Sequence, residues 1–278
     1  MEIALSRAAF SNVNPNDVVS AWSVALERMG RQKGYQLRSN NKVFTQTEEF
    51  ATALRQERLH LAIIDTWQFL DLEQNAGLEP LFVPVIGKEI GRQFVVLVRR
   101  GSGIRNLRDL RGHAVAWLES SKTNACRGWL ESLLATDAQT TEAPLFDNWE
   151  VTPKPTNAIL AVFFGQKVAC LVDENSFALM KELNPQVGEK LEVLVRSERF
   201  VDVIICLSTS GWNPPAARND VINALANLGV DASGRQILAL FKISSVVPFA
   251  PNHLDTVRRL RSSRKAADSS PPTAEAPR

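Results

Sequence analysis

The sequence predicts an α/β fold on three observations. Apolar runs of strand length, such as "LHLAIID" and "QFVVLVR", recur along the chain; stretches of ordinary helix length with apolar residues at helical spacing separate them; and no repeat of fixed period appears. Strands that are continuously apolar and alternate with helices indicate a parallel sheet covered on both faces. With 278 residues, against roughly 150 per domain, the chain has room for one large domain or two lobes.

The elements follow in order. "EIALS" is a strand, and a helix begins at about Asn14, with Val18, Val19, Trp22, Ala25, Leu26 and Met29 at helical intervals and Pro15 suited to its first turn. A strand runs from Tyr35 toward Val43, and a helix from Thr47 to Arg58. An apolar strand ends at Asp65, then come a helix, a stop at Gly77 and a strand through Val85. A long strand covers Gln93 to Arg99, a short helix lies near Asn106 to Leu110, and a further strand leads into "AVAWLESSKTNACRGWLESLL". "TNAILAVFFGQKVACLVDENSFALMKEL" holds a second strand-and-helix series, and "LEVLVRSERFVDVIICLS" supplies two more strands. The last third is helical, through "PAARNDVINALANLG" and "ASGRQILALF". From Arg261 the composition turns to Ser, Pro, Ala and charge, which cannot offset the entropy of ordering, so residues 261–278 are expected to form a disordered tail.

Composition excludes several classes. Lys+Arg 32 against Asp+Glu 30 leaves a net charge of +2 with no long basic stripe, which argues against a nucleic-acid partner. The dense group Arg258, Arg259, Arg261, Arg264 and Lys265 reads as a solvated helix end that complements the helix dipole. Cys126, Cys170 and Cys206 cannot all pair and show no metal-ligand spacing, so they read as core residues. No apolar run reaches the roughly 18 residues of a membrane-spanning helix, and "MEIALS" lacks the regions of a signal peptide. Either export information is missing from this chain or the protein stays inside the cell. His60, His113 and His253 lie far apart, no Walker-type phosphate loop occurs, and the adjacent acids Asp173 and Glu174 read as partners of a helix N-terminus. These readings imply no catalytic constellation, metal or cofactor.

In order and spacing, "GSGIRNLRDLRGHAVAW", "NAILAVFFGQKVACLVD" and "ELNPQVGEKLEVLVRSERF" resemble the phosphate/phosphonate-type substrate-binding proteins of ABC transporters. The resemblance covers about Ile3 to Leu260. Many bilobed binding proteins share the "SGI-x-x-L-x-DL-x-G" stretch, and the "ELNP" segment with the "D-x-W-x-x-L" helix start narrows the choice. The resemblance implies a two-lobed type II periplasmic-binding-protein fold, each lobe a sheet flanked by helices. Lobe I takes residues 1–90 and 195–260, lobe II takes 91–194, and the crossings are Gln93–Arg99 and Leu191–Arg196. It further implies a hinge and a small-molecule anionic ligand of the phosphate, phosphite or phosphonate class held between the lobes. The partner is an ABC transporter permease or a membrane sensor, the state is a monomer, and the location is periplasmic if an export signal has been removed and cytoplasmic otherwise.

Open α/β sheets bind ligands outside the carboxyl ends of their strands, where helix N-termini present free N–H groups and a positive dipole end to anions. Four such corners occur: Ser6–Asn14, Asp65–Trp67, Trp117–Asn124 and Pro155–Asn157. The family's Ser-Thr-Ser-Gly corresponds to Lys122-Thr123-Asn124-Ala125 here, which keeps Thr123, adds a cation at Lys122 and leaves Asn124 able to donate. Ser120 or Ser121 either caps this helix or, in the case of Ser121, joins the site. The family's Asn-His-Glu pattern corresponds to Pro155-Thr156-Asn157, where Thr156 and Asn157 either donate to an anion or cap the helix. Asp202 falls where the family places an acid near a ligand amine or hydroxyl, and is otherwise a surface carboxylate at a strand start. Asp65 and Thr66 either open a helix or face the ligand, with Trp67 and Phe10 as cleft wall or core.

Two other readings stay open: an enzyme on the same scaffold, with Cys126 as nucleophile, and a cytoplasmic or sensor-coupled binding module.

Overall fold

The computed structural model describes residues 1–10, 13–34, 40–56, 59–72, 77–121, 123–135, 148–209 and 211–268. The first half begins with β1 (Glu2–Ser6), α1 (Pro15–Gln32), β2 (Asn40–Phe44), α2 (Thr47–Gln56), β3 (Leu59–Asp65), α3 (Thr66–Leu72), β4 (Leu78–Ile86) and β5 (Glu89–Ile90). The Asn14 side chain accepts the Asn16 N–H at 2.9 Å and Pro15 occupies the first turn, so α1 starts where the sequence places it. Residues 35–39, the first part of the strand expected from Tyr35, lie outside the described residues, as do Glu57 and Arg58 at the end of the expected helix.

The chain then builds β6 (Arg92–Arg99), β7 (Val115–Leu118), α4 (Asn124–Ala135), β8 (Trp149–Thr152), α5 (Pro155–Phe163), β9 (Ala169–Asp173), α6 (Glu174–Leu183), α7 (Pro185–Lys190) and β10 (Leu191–Phe200). It returns through β11 (Val203–Ser208), α8 (Ala216–Ala226), α9 (Ala232–Phe241), β12 (Ser245–Pro248) and α10 (Asp255–Asp268).

Two sheets result. The first has seven strands in the order β12-β4-β11-β3-β1-β2, with β5 on β4; the second has five in the order β10-β6-β9-β7-β8. Period-2 alternation buries both faces. In β1, Ile3 and Leu5 enter one core while Ala4 enters the other. In β6, Phe94, Val96 and Val98 face one core and Val95 and Leu97 the opposite one.

The sheets are mixed, which corrects the expectation of parallel pairing. β1 pairs in parallel with β2 and β3, and β7 with β8 and β9. β11 runs antiparallel to both β3 and β4, because the chain re-enters the first sheet from the second and so arrives from the opposite direction. β6 is antiparallel to β9 and β10 for the same reason. The strands expected to cross, Gln93–Arg99 and Leu191–Arg196, lie in the second sheet, and β10 stays there to Phe200. The chain changes sheets at Gly91 and at Val201–Asp202. The first part of the expected tail is helical instead, since α10 continues past Arg261 to Asp268, and residues 269–278 lie outside the described residues. Val257 and Leu260 of this helix pack with Cys126, Trp129 and Leu130 of α4, beneath the second sheet; that apolar face orders residues whose exposed side is charged.

Gly91 permits the crossing. Its φ is +79°, and a Cβ there would lie 2.6 Å from the Phe200 carbonyl oxygen. Gly91→Ala combines a left-handed backbone with a backbone clash, and we expect a loss of about 1–3 kcal/mol of stability, read as a lower urea midpoint. A midpoint equal to that of the parent would show that the two crossing segments are not tightly apposed.

Candidate functional site

A cavity of about 170 Å³ lies between the two sheets. The carboxyl ends of the strands define its walls, as expected for open α/β sheets. Phe10, in the 3₁₀ turn Arg7–Phe10 that follows β1, forms one side together with Val203 of β11 and Phe241 at the end of α9. Thr123 before α4, Pro155 at the start of α5, and Asp173, Asn175 and Ser176 at the start of α6 form the other. Arg92, Gln93 and Asp202 reach it from the crossing segments.

The residues expected in the site divide. Phe10, Thr123 and Asp202 line the cavity. Phe10 is buried, edge-on to Phe241 with ring centroids 6.0 Å apart. Thr123 is the N-cap of α4, its Oγ1 accepting the Cys126 N–H at 3.1 Å; this is the role expected of Ser120 or Ser121, which lie too far before the first helical residue to reach the third N–H of the helix. Ser121 is fully buried, and its Oγ has no hydrogen-bond partner among the described residues. Lys122 lies outside the described residues. Thr156 and Asn157 stand exposed in the first turn of α5, behind Pro153 and Pro155, which take the wall positions. Neither is the cap, because Lys154 occupies that place.

The Asp65 corner holds the two sheets together. Asp65 Oδ1 accepts the N–H groups of Trp67 at 2.9 Å and Gln68 at 3.1 Å, capping α3, and also the Asn124 Nδ2 of α4 at 3.1 Å. Thr66 donates its hydroxyl to the Val201 carbonyl at 2.6 Å and its N–H to the Asp202 carbonyl at 2.8 Å. Trp67 is not a cleft wall: its ring lies on α4, where a Cβ at Gly128 would approach it to 2.8 Å, and the Arg261 guanidinium covers it 5.5 Å from the ring centroid. Asn124, Asp65, Thr66 and Trp67 therefore form a seam beside the cavity.

Charge at the site is dominated by burial. Asp202 is 6% exposed and among the described residues neither carboxylate oxygen accepts a hydrogen bond, although Arg92 Nε stands 3.2 Å from Oδ2 as an ion pair. Burial pushes its pKa up to about 7, against the pull of Arg92 and with the help of Asp65 and Asp173. Asp65 rises to about 6, again through burial, which outweighs the donors from Asn124, Gln68 and Trp67. Asp173 is the N-cap of α6: Oδ1 accepts the Ser176 N–H at 2.9 Å and Oδ2 the Ser176 hydroxyl at 2.8 Å, as its place at a helix start indicates. Cys126 is fully buried, and burial holds its thiol well above the usual range, so it is no activated nucleophile. Among the described residues, no cluster of His, Cys, Asp and Glu could hold a metal ion.

Sequence reasoning missed Arg92, Asn175, Ser176, Phe241 and Lys242. Asn175 and Ser176 follow a recognised helix start, so the corner after β9 was a signal available but not used. Arg92 carried none, since its partner Asp202 is a neighbour only in the folded chain.

Both raised carboxyls bind protons more tightly folded than unfolded, where the value is near 3.8. The unfolded chain therefore carries fewer of these protons between about pH 4 and 7, and stability falls as pH rises through that window. Asp202→Asn should flatten the fall, most visibly between pH 6 and 7, in urea midpoints taken across the range. An identical slope in parent and variant would show that Asp202 is not buried as described.

Residues 8–254 match the family described as ABC transporter, phosphonate, periplasmic substrate-binding protein. No curated protein sequence matches the chain. Among solved structures, XAC2383 from Xanthomonas citri bound to ATP is similar with a TM-score of 0.66 at 15% identity, covering 96% of this chain and 98% of that one. A binding protein component of an ABC phosphonate transporter from Pseudomonas aeruginosa gives a TM-score of 0.60 at 15% identity over 96% and 87%. PhnD1 from Prochlorococcus marinus in complex with methylphosphonate gives 0.60 at 12% identity over 95% and 98%. At these identities the structures show the fold, the two-lobed type II periplasmic-binding-protein architecture. The match across residues 8–254 shows that the chain belongs to the phosphonate substrate-binding protein family of ABC transporters.

Proposed function

We infer that this protein captures a small phosphorus oxyanion in the cavity between its sheets and delivers it to an ABC transporter permease. The observation that carries the reading is the wall formed by Thr123, Pro155, Asn175 and Ser176, where the starts of α4, α5 and α6 converge on one cavity. First-turn N–H groups have no acceptor within their helices, and the dipole there favours negative charge. Arg92 adds a cation from the crossing segment. Lys122, beside Thr123 in sequence, is proposed to add a second.

Size narrows the ligand. About 170 Å³ lies below the roughly 300–1,000 Å³ typical of drug-sized ligands. That favours an anion the size of methylphosphonate, seen in the Prochlorococcus marinus protein, over one the size of ATP, seen in the Xanthomonas citri protein.

In this reading the layer around the first sheet, chiefly residues 1–90 and 203–254, and the layer around the second, chiefly 91–200, are two lobes that close about Gly91 and Val201–Asp202. Asp65 and Asn124 tie the lobes beside the ligand rather than holding it. The protein acts in the periplasm, in keeping with the family description, and as a monomer in this reading. It binds without turnover, a reading supported by the sealed, unactivated Cys126.

A ligand that binds only the folded state stabilises it by RT ln(1 + [L]/Kd), about 2.7 kcal/mol at one hundred times Kd. Thermal unfolding with phosphate, phosphite, methylphosphonate or sulfate should rise in midpoint with at least one phosphorus oxyanion and less with sulfate. Unchanged midpoints with all the phosphorus oxyanions at millimolar concentration would remove this function.

A further inference from the structure

The two walls of the cavity differ in chemistry. On the side of the first sheet, Ala9, Phe10, Val13, Ile86, Val203 and Phe241 present an apolar face, with the exposed Lys242 at its edge. The facing side is polar, made of Thr123, Asp173, Asn175 and Ser176 between Pro153 and Pro155. A bare tetrahedral anion would satisfy the polar wall and leave the other in contact with its charge or with trapped water, both unfavourable beside apolar carbon.

A second, smaller chamber of about 50 Å³ adjoins the cavity on its apolar side. The two share Ala9, Ile86, Arg92, Asp202, Val203 and Phe241, and the chamber continues between Ile63, Pro84 and Ile243. Its volume exceeds the roughly 10–15 Å³ that admits one water, but a buried water needs two to four polar partners. Arg92 and Asp202 are the charged side chains on its lining, and they are paired with each other. The rest of its lining side chains are apolar, around a space the size of a few carbon atoms.

Each acid at the cavity already has a polar neighbour, Ser176 for Asp173 and Arg92 for Asp202. Both oxygens of Asp173 accept from Ser176. The carboxylate oxygens of Asp202 are sealed from solvent with Arg92 beside them. Arg92 stands 3.2 Å from Asp202 Oδ2, so an ammonium group brought to that carboxylate would meet the positive charge of Arg92.

Resting on the oxyanion reading, we propose that the preferred ligand is an amine-free phosphonate carrying a short apolar substituent, its head on the wall of helix starts and its carbon chain in the chamber bounded by Ile86, Val203 and Phe241. The polar wall supplies capture and the apolar chamber supplies selectivity.

The test is calorimetric titration of the intact chain with inorganic phosphate, methyl-, ethyl- and propylphosphonate, and 2-aminoethylphosphonate. Affinity should rise from methyl- through propylphosphonate by about fourfold per added methylene, the scale of moving a CH₂ out of water, with phosphate weaker than methylphosphonate. 2-Aminoethylphosphonate, which replaces the terminal methyl of propylphosphonate by an ammonium, should bind at least tenfold more weakly than propylphosphonate. Ile86→Thr, which keeps the branched shape and adds a hydroxyl to the chamber, should flatten the rise. An affinity that is flat or falls with chain length, a 2-aminoethylphosphonate as tight as propylphosphonate, or an unchanged slope in Ile86→Thr would each overturn the proposal while leaving the oxyanion reading intact. Failure of every compound, phosphate included, would overturn both.

Discussion

The architecture depends on how the chain passes twice between two sheets through one buried seam. Backbone groups at such a crossing leave the ladder of one sheet before joining the other, and buried N–H and C=O groups must still be paired. Thr66 does this for the return crossing, with its hydroxyl on the Val201 carbonyl and its N–H on the Asp202 carbonyl. The outgoing crossing is pressed against the same place, with Gly91 so near the Phe200 carbonyl that a side chain has no room. Asp65, one residue before Thr66, caps α3 and accepts Asn124 from α4. Two neighbouring residues, Asp65 of β3 and Thr66 of α3, thus tie the return strand, the first helix layer and the second helix layer to one point.

That seam sets the electrostatics of the cavity. Holding residues 201–202 by their backbone aims Asp202 toward the space between the sheets, away from the solvent that would hydrate it, and the carboxyl responds by titrating near neutrality. Arg92 enters from the other crossing and offsets part of the penalty. A one-sided pair of this kind adds little to stability, because desolvation cancels most of the attraction.

Much of this was legible in the sequence, and the limits are physical. The α1 start at Asn14-Pro15, the end of β3 at Asp65 and the α6 start at Asp173 are local signals, written in caps, helical periodicity and strand-length apolar runs, and they stand in the structure. Strand direction is not local. The apolar run of β11 looks the same whether it pairs parallel or antiparallel, and only the route of the chain through the other sheet decides. The site shows the same division. Thr123 and Asp202, expected from the family resemblance, line the cavity. The Arg92–Asp202 pair and the apolar chamber arise from segments far apart in sequence. Thr156 and Asn157 were expected because they match the family's Asn-His-Glu corner, but Pro153 and Pro155 beside them take the wall.

Coupling between ligand and closure follows from the same parts. In the proposed closure, bringing the walls together around nothing would set the polar side chains of Thr123, Asn175 and Ser176 against apolar carbon, and would leave the space behind Ile86 and Phe241 unfilled. Unmatched donors and unfilled apolar space both raise the free energy of a compact state. A ligand with an anionic head and a short carbon chain relieves the two penalties together, whereas inorganic phosphate relieves one. The differential stabilisation of the closed arrangement, which is the only means by which a ligand can shift a conformational equilibrium, is therefore largest for a molecule that matches both walls.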